Sequence, residues 1–506
     1  MSDLVPLAVA APIFASVVAL LAGVVRSRTG WPVALLGSVL QVGIAAELVR
    51  RTVFGDSIRY VVGDFSVPYG IELVVDGLSA SMVALVAVTA LGVLAHARHA
   101  GPRSNPFYAA YLLLVAGLTG MSVTADLFNM YVFLEITGLA AYVLVASEDT
   151  GRSAIAALRY LLIGTVGASL FLLGAGYAYI GTGTLNMADL ATELAEVGYT
   201  ATLVQASFAF VVVGLFIKIA VFPLHTWQPE AYAGSPDSVS ALISALVSTV
   251  SAYALIRVVY TVFTADFLAA NPLARDLLAA AATVSIVAGS LLAVAQTEVK
   301  RMLAYSSVAQ FGLVIAGASL VNQTAMTGAA IHLVGHALMK GALFLAAGLV
   351  AVATGARTIE EYEGLADRLP FGAGAFGLLA FAMVGVPPTL GFVGKWYIAV
   401  GAVETGAWTL TAVIVASTLL TLAYFARLVE RMFFREPSVA VRENADVSAP
   451  TASIAAADGG DTIAPDGTSL GMYAVVVAAA VLAVALGAVA FEYAQFVEPT
   501  VSRLLA

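Results

Sequence analysis

Ser207-Phe-Ala-Phe-Val-Val-Val-Gly-Leu-Phe-Ile-Lys218-Ile-Ala-Val-Phe-Pro223-Leu-His225-Thr-Trp227-Gln-Pro229 is the stretch on which the reading of this chain turns. Its first half is apolar enough to sit in hydrocarbon, yet it holds an ammonium and is followed by two prolines. A charged side chain at a bilayer centre costs roughly 2.5–3.5 kcal/mol on insertion scales, so such residues face a partner or water and mark ion paths. Pro223 and Pro229 remove backbone donors, interrupt the helix and free carbonyls that can hold water or cations. The chain contains only four lysines, at 218, 300, 340 and 395, and uses arginine elsewhere. Desolvated lysine gives up its proton where arginine does not, which makes Lys218, Lys340 and Lys395 candidate proton carriers. Lys300, beside Glu298 and Arg301, reads as an ordinary loop residue.

Outward from this stretch the composition is that of an all-α polytopic membrane protein: 61% hydrophobic, 11% charged, mean hydropathy +0.96. Apolar windows long enough to cross about 30 Å of hydrocarbon recur about 14 times. They lie near 4–25, 32–49, 77–95, 107–123, 127–146, 157–180, 204–224, 238–262, 276–294, 304–320, 326–352, 373–403, 408–433 and 471–491. The first is too long for a secretion signal and is expected to remain as structure. Arginines and Lys300 concentrate on the odd-numbered connections, which puts both termini on the non-cytoplasmic side of the cell membrane. Residues 1–106 form an N-terminal unit of three spans, in which 50–75 alternates (Ile58, Tyr60, Val62) and carries Gly63, Pro68 and Gly70, the marks of an external hairpin. Residues 435–469 lack apolar periodicity and read as a disordered acidic cytoplasmic loop, ahead of a last span and tail at 470–506. With no cysteine, disulfides, iron-sulfur clusters and thiolate metal sites are excluded, so redox chemistry would belong to partners and no cofactor is expected. Nothing points to nucleic-acid binding or a soluble catalytic site.

Span 5 reads Leu127-Phe-Asn-Met-Tyr-Val-Phe-Leu-Glu135-Ile-Thr-Gly-Leu-Ala-Ala-Tyr142. A mid-helix carboxylate must be neutralised or paired, and Lys218 is the available cation. The pair either opens and closes as protons move or statically fixes helix packing. Span 12 repeats the design of span 7, with Pro387 and Pro388 breaking the helix ahead of Lys395. Spans 7 and 12 are five apart and so cross in opposite directions, which predicts two inverted five-helix repeats, spans 4–8 (107–262) and spans 9–13 (273–434), with ion sites near the midplane. Span 11 places His332, His336 and Lys340 at i, i+4 and i+8 on one face. They suit a proton relay; a structural role or a metal site are the alternatives. Ser244, Ser248 and Ser251, with Thr249 alongside, could order water between Lys218 and span 11 or simply permit close helix packing. Tyr305, Ser306 and Gln310 add a polar patch on span 10.

Four segments together, Leu127 to Glu135, Lys218 with Phe222-Pro-Leu-His-Thr-Trp-Gln-Pro-Glu-Ala, Lys300-Arg-Met-Leu-Ala-Tyr-Ser-Ser-Val-Ala-Gln310-Phe-Gly, and His332 to Leu345, resemble the antiporter-like subunits shared by complex I, membrane-bound hydrogenases and Mrp-type sodium/proton antiporters. Asn129 and the short tail look most like the Mrp D-type subunit. The resemblance implies that Glu135 and Lys218 form the ion pair of a first half-channel, that His332 lies on a central polar axis, and that Lys395 ends a second half-channel. Family members commonly carry a bridging lysine where this chain has Thr249. The implied function is proton translocation in a multisubunit Na+/H+ antiporter, with other membrane subunits, protons, Na+ and lipid as partners. The alternatives are a pump subunit of a complex I-like or hydrogenase-linked redox enzyme, and a transport-inactive scaffold.

Overall fold

The computed structural model describes residues 3–102, 104–148, 150–436 and 468–506. Thirteen of its described helices are long and apolar enough to cross a membrane. They are α1 (Leu4–Val25), α2 (Gly30–Val53), α3 (from Gly77), α4 (Asn105–Val123), α5 (Leu127–Val145), α6 (Gly151–Thr182), α8 (Thr202–Ile219), α10 (Asp237–Arg257, continuing to Ala270), α12 (Pro272–Val294), α13 (Val299–Ser319), α14 (Gln323–Thr354), α18 (Trp408–Phe434) and α19 (Leu470–Ala488). The remaining expected crossing, at 373–403, is two shorter helices, α16 (Pro370–Val384) and α17 (Leu390–Glu404), either side of the Pro387-Pro388 turn. Short helices α7 (Met187–Val197), α9 (Trp227–Gly234), α11 (Thr264–Ala270) and α15 (Leu365–Arg368) complete the set, with α20 (Ala490–Leu505) last.

The hairpin expected between the second and third spans is present. Strand β1 (Ile58–Val61) pairs antiparallel with β2 (Glu72–Val75), Ile58 opposite Val75. Its Glu72 carbonyl accepts from the Ala125 amide, which ties the hairpin to the start of α5. The tail differs from expectation: α20 follows α19 directly and buries Ala494, Val497, Val501 and Leu504. Its alternation of Glu, Gln and Thr with apolar residues at helical spacing carried that signal. Of the loop expected at 435–469, residues 437–467 lie outside the described residues.

Two sets of helices are built alike. Helices α6 and α14 are both 32 residues long, start from side-chain caps at Thr150 and Asn322, and end at Gly183 and Gly355, each with φ 75°. That left-handed conformation is open to glycine at no steric cost. The Leu127 amide donates to Leu185 and the Met187 amide to Ala125; at the matching place the Val299 amide donates to Arg357 and the Ile359 amide to Thr297. The intervals 127 to 299 and 185 to 357 are identical. Each of the two interrupted helices then ends on a positive-φ residue, Ala220 for α8 and Gly385 for α16.

The helices α10, α13 and α4 are buried along nearly their whole apolar length, whereas only about a third of α1, α2, α18 and α19 is buried. The exposed faces carry residues such as Phe14, Leu36 and Leu419, suited to lipid or to neighbouring apolar surfaces. Of the buried helices, α10 and α13 are lined with buried polar side chains, among them Ser244, Ser248, Thr249, Ser306 and Gln310.

At the end of the bundle opposite the hairpin, ion pairs join the two sets: Arg152 to Glu298 (2.8 Å), Arg301 to Glu230 (2.7 Å) and Lys300 to Asp237 (2.9 Å). Lys300 is therefore no loop residue. It starts α13, is 6% exposed, and also donates to the Ser235 carbonyl at 2.8 Å. The sequence reading paired it with neighbours along the chain; its partner lies 63 residues away on α10.

Candidate ion-translocation site

Glu135 lies mid-way along α5 and Lys218 one residue before the end of α8. The fold brings Lys218 Nζ to 3.7 Å from Glu135 Oε1, with the lysine buried and the carboxylate a quarter exposed. This is ion-pair distance without a direct hydrogen bond, and that carboxylate oxygen has no hydrogen-bond partner. The ammonium instead donates to the Tyr142 hydroxyl at 3.3 Å. Tyr142 is seven residues after Glu135, two turns up the same face of α5. Gly138 lies between them, and a Cβ there would come within 3.2 Å of Lys218 Nζ. A hydrogen side chain at 138 thus leaves the ammonium room beside α5.

The break after α8 was expected to free carbonyls for water or cations. The structure fills them with side-chain donors. Trp227 Nε1 donates to the Ile217 carbonyl at 2.8 Å, and Ser248 Oγ of α10 reaches the Lys218 carbonyl at 3.4 Å. Pro223 lies in the break itself, whereas Pro229 sits in the first turn of α9, where a missing N–H costs nothing. Tyr160 stacks flat on Trp227 at 4.1 Å and meets Tyr142 edge-on. Gln228, Tyr232 and Ser248 close a buried hydrogen-bonded triangle behind them at 3.0–3.4 Å.

Lys340, on α14, is a fully buried ammonium of the second set of helices. Its Nζ donates to Ser306 Oγ at 2.9 Å and to the Leu303 carbonyl at 3.1 Å, and Tyr424 of α18 donates to the same serine at 2.8 Å. One turn back, His336 meets the Phe311 edge and has no hydrogen-bond partner on either nitrogen. A further turn back, His332 Nε2 and Gln310 Oε1 are 2.9 Å apart. Next to His332 runs the backbone of α17: a Cβ at Gly394 would lie 2.8 Å from the His332 Cα. The adjacent Lys395 points back across the break and donates to the carbonyls of Met383 (2.8 Å) and Val384 (2.9 Å) at the end of α16. An ammonium on a helix C-terminus meets both orphan carbonyls and the negative end of the helix dipole.

Between the two halves stands α10, and here the serine face divides. Ser248 joins the Lys218 network, but Ser244 and Ser251 bond the carbonyls of Ala241 and Val247 on their own helix, the packing role. Thr249 is fully buried and its hydroxyl has no partner. Tyr305 turns toward the first half, its ring 5.8 Å from that of His225. Sequence reasoning did not single out Tyr142, Gln228, Tyr232 or Tyr424. Tyr142 was detectable from its spacing to Glu135; Tyr424 comes from a distant helix and gave no local signal.

Buried ammonium and imidazole groups and a half-buried carboxylate inside a helical bundle, beside two interrupted helices, mark a polytopic membrane protein of the ion-transporting kind. The transmembrane family described as NADH:quinone oxidoreductase/Mrp antiporter matches residues 124–421, and the chain belongs to it. It is 46% identical over 413 residues to NADH-quinone oxidoreductase subunit N of Desulforudis audaxviator, covering 80% of this chain and 81% of that one. It is 32% identical over 405 residues to the D-type subunit of the Na(+)/H(+) antiporter of Bacillus subtilis, covering 79% and 81%. Among solved structures, a chain of the Mrp complex from Dietzia superposes with TM-score 0.88 at 27% identity, covering 100% of this chain and 97% of that one. A chain of the archaeal membrane-bound sulfane sulfur reductase superposes with TM-score 0.86 at 28% identity, covering 99% and 97%.

Proposed function

We propose that this chain is the proton-translocating membrane subunit of a multisubunit cation/proton antiporter, with Lys218 as the first carrier. The observation that carries the reading is the position of the Lys218 ammonium: buried, 3.7 Å from Glu135, 3.3 Å from Tyr142, and at the end of a helix that stops beside it. Opposing 100 mV costs a proton about 2.3 kcal/mol. Removing one partner of a buried ion pair changes its energy by about 3–5 kcal/mol, so exchanging Glu135 for another partner covers that requirement. The protonated lysine pairs with Glu135; unpaired, it releases its proton toward α10 and on to Lys340, His336, His332 and Lys395. The alike construction of α5–α6 and α13–α14 supports reading spans 4–8 and 9–13 as inverted repeats, with one half-channel in each. The arginine distribution supports placing both termini, and with them the hairpin, outside the cytoplasm. Other membrane subunits, as in the assemblies that hold its structural neighbours, supply the cation path.

The test is gradient-driven Na+/H+ exchange in vesicles carrying the assembled complex, with no electron donor present. Wild type exchanges and Lys218→Ala falls to background; unchanged exchange in the variant overturns the carrier assignment. The 46% identity to an oxidoreductase subunit N supports a second reading, a pump subunit in a complex I-like enzyme. In that case the wild-type complex moves protons only when an electron donor and quinone are supplied.

A further inference from the structure

Beneath the hairpin lies a cavity of about 360 Å³ that the proton axis through Lys218, Lys340 and Lys395 does not use. Its walls include Arg59, Glu72, Asp76, Arg257, Thr261 and Arg503. Arg257, on α10, is bonded to Asp76, the residue that caps α3, and both are largely buried. A second arginine, Arg59, pairs with Glu72 at 3.0 Å on the hairpin side. Charged groups thus line open space between the helices on several sides.

From the cavity, one face of α10 leads toward the Lys218 end of α8. Thr249, Tyr253 and Arg257 follow one another at intervals of four residues, so they stack along the helix over about 12 Å. Arg257 Nε donates to the Tyr253 hydroxyl at 2.9 Å, and that hydroxyl donates to the Ser122 carbonyl at 2.7 Å. At the inner end, the Thr249 hydroxyl is buried with no partner, and its neighbour Ser248 touches the Lys218 carbonyl. At the outer end, the helix widens into a π-helical turn over Val258–Phe263 immediately after Arg257. Such turns recur at functional sites. This one aims Thr261, whose hydroxyl also lacks a partner, at the cavity.

We propose that this cavity is the hairpin-side mouth of a hydrated ion passage along α10, which begins at Thr249 and is gated by the Asp76–Arg257 ion pair. With the pair closed, the guanidinium and Tyr253 fill the passage; with the pair parted, water reaches Thr249 and a proton leaving Lys218 has, besides the route on to Lys340, a second way out on this face. The assignment rests on the proton-carrier reading of Lys218 for its cargo, but its geometry is testable without transport.

Because the chain contains no cysteine, single cysteines report on the passage directly. Thr249→Cys and Thr261→Cys, each in the assembled complex in oriented vesicles, are treated from either side with a cationic, membrane-impermeant thiosulfonate. Thr261→Cys reacts from the hairpin face in both backgrounds. Thr249→Cys reacts from that same face slowly, and about tenfold or more faster once Asp76→Asn weakens the pair and raises the open population. Asn at 76 still accepts from the Leu78 and Ser79 amides, so the cap of α3 survives. If that variant does not assemble, Arg257→Gln tests the same gate from the other side, and the sidedness of labelling in the parent stands by itself. Reaction of Thr249→Cys only from the opposite face, no reaction from the hairpin face, or a rate that neither gate variant changes overturns the passage. Intact exchange in Lys218→Ala would instead overturn the carrier and leave the labelling pattern as it is.

Discussion

At the scale of single residues, the chemistry turns on what Lys218 can bond to. Its ammonium has two short-range partners, Glu135 and Tyr142, and only the first is charged. Glu135→Gln should therefore keep the geometry and lose the Coulomb term, leaving exchange present but slowed by about tenfold, the rate effect of about 1.4 kcal/mol. Lys218→Arg keeps the charge but cannot release a proton at working pH, so exchange should drop to the level of Lys218→Ala. Initial rates of ΔpH collapse on sodium addition read both variants; an active arginine variant would remove the lysine from the proton path. Glu135, Lys218, Lys340 and Lys395 were legible in sequence because charge in an apolar run is rare and conspicuous. Tyr142, Tyr232 and Gln228 were not, because neutral polar residues in such runs most often serve packing, and Ser244 and Ser251 do so here. Asp237, the first residue of α10, was not legible as the partner of Lys300, because the two lie 63 residues apart.

Helices α16 and α17 show at the level of elements how a broken helix is held. The Lys395 ammonium occupies the two last carbonyls of α16, and Gly394 lets the backbone of α17 lie against His332. Gly394→Ala would place its Cβ 2.8 Å from the His332 Cα. The helices must part to admit it, at about 1–3 kcal/mol of overpacking. A lowered melting temperature of the purified complex with reduced exchange is the expected result; unchanged values for both would mean that α17 adjusts freely. The breaks themselves were legible from Pro223 and the Pro387-Pro388 pair. What fills them was not, because Trp227, Ser248 and Lys395 reach those carbonyls only after folding. The matched caps and glycines of α6 and α14 were present in the sequence too, but their signal is a spacing rather than an identity of residues.

For the whole molecule, the ion pairs opposite the hairpin bind the two halves into one body. Lys300→Ala leaves the Asp237 carboxylate buried, with only Arg357 at 3.9 Å as a remaining cation, and should cost about 3–5 kcal/mol. Asp237→Asn combined with Lys300→Met removes both charges and should recover a good part of that loss. Thermal unfolding of the purified complex compares the two, and a double variant no more stable than the single one would contradict the account. The number of crossings, the hairpin and the two breaks followed from composition and punctuation alone. The partners across the bundle did not, because they join positions dozens of residues apart. Only one of the four tryptophans in the whole chain is deeply buried: Trp227, whereas Trp396 and Trp408 are mostly exposed and Trp31 lies partly so. Its indole bonds the carbonyl of the residue before Lys218 and stacks on Tyr160. The molecule thus carries an intrinsic fluorophore beside the proposed carrier. Once an acyl-chain quencher has silenced the rim, the emission that remains reports the electric field at Lys218 and shifts in wavelength as that lysine gains or loses its charge.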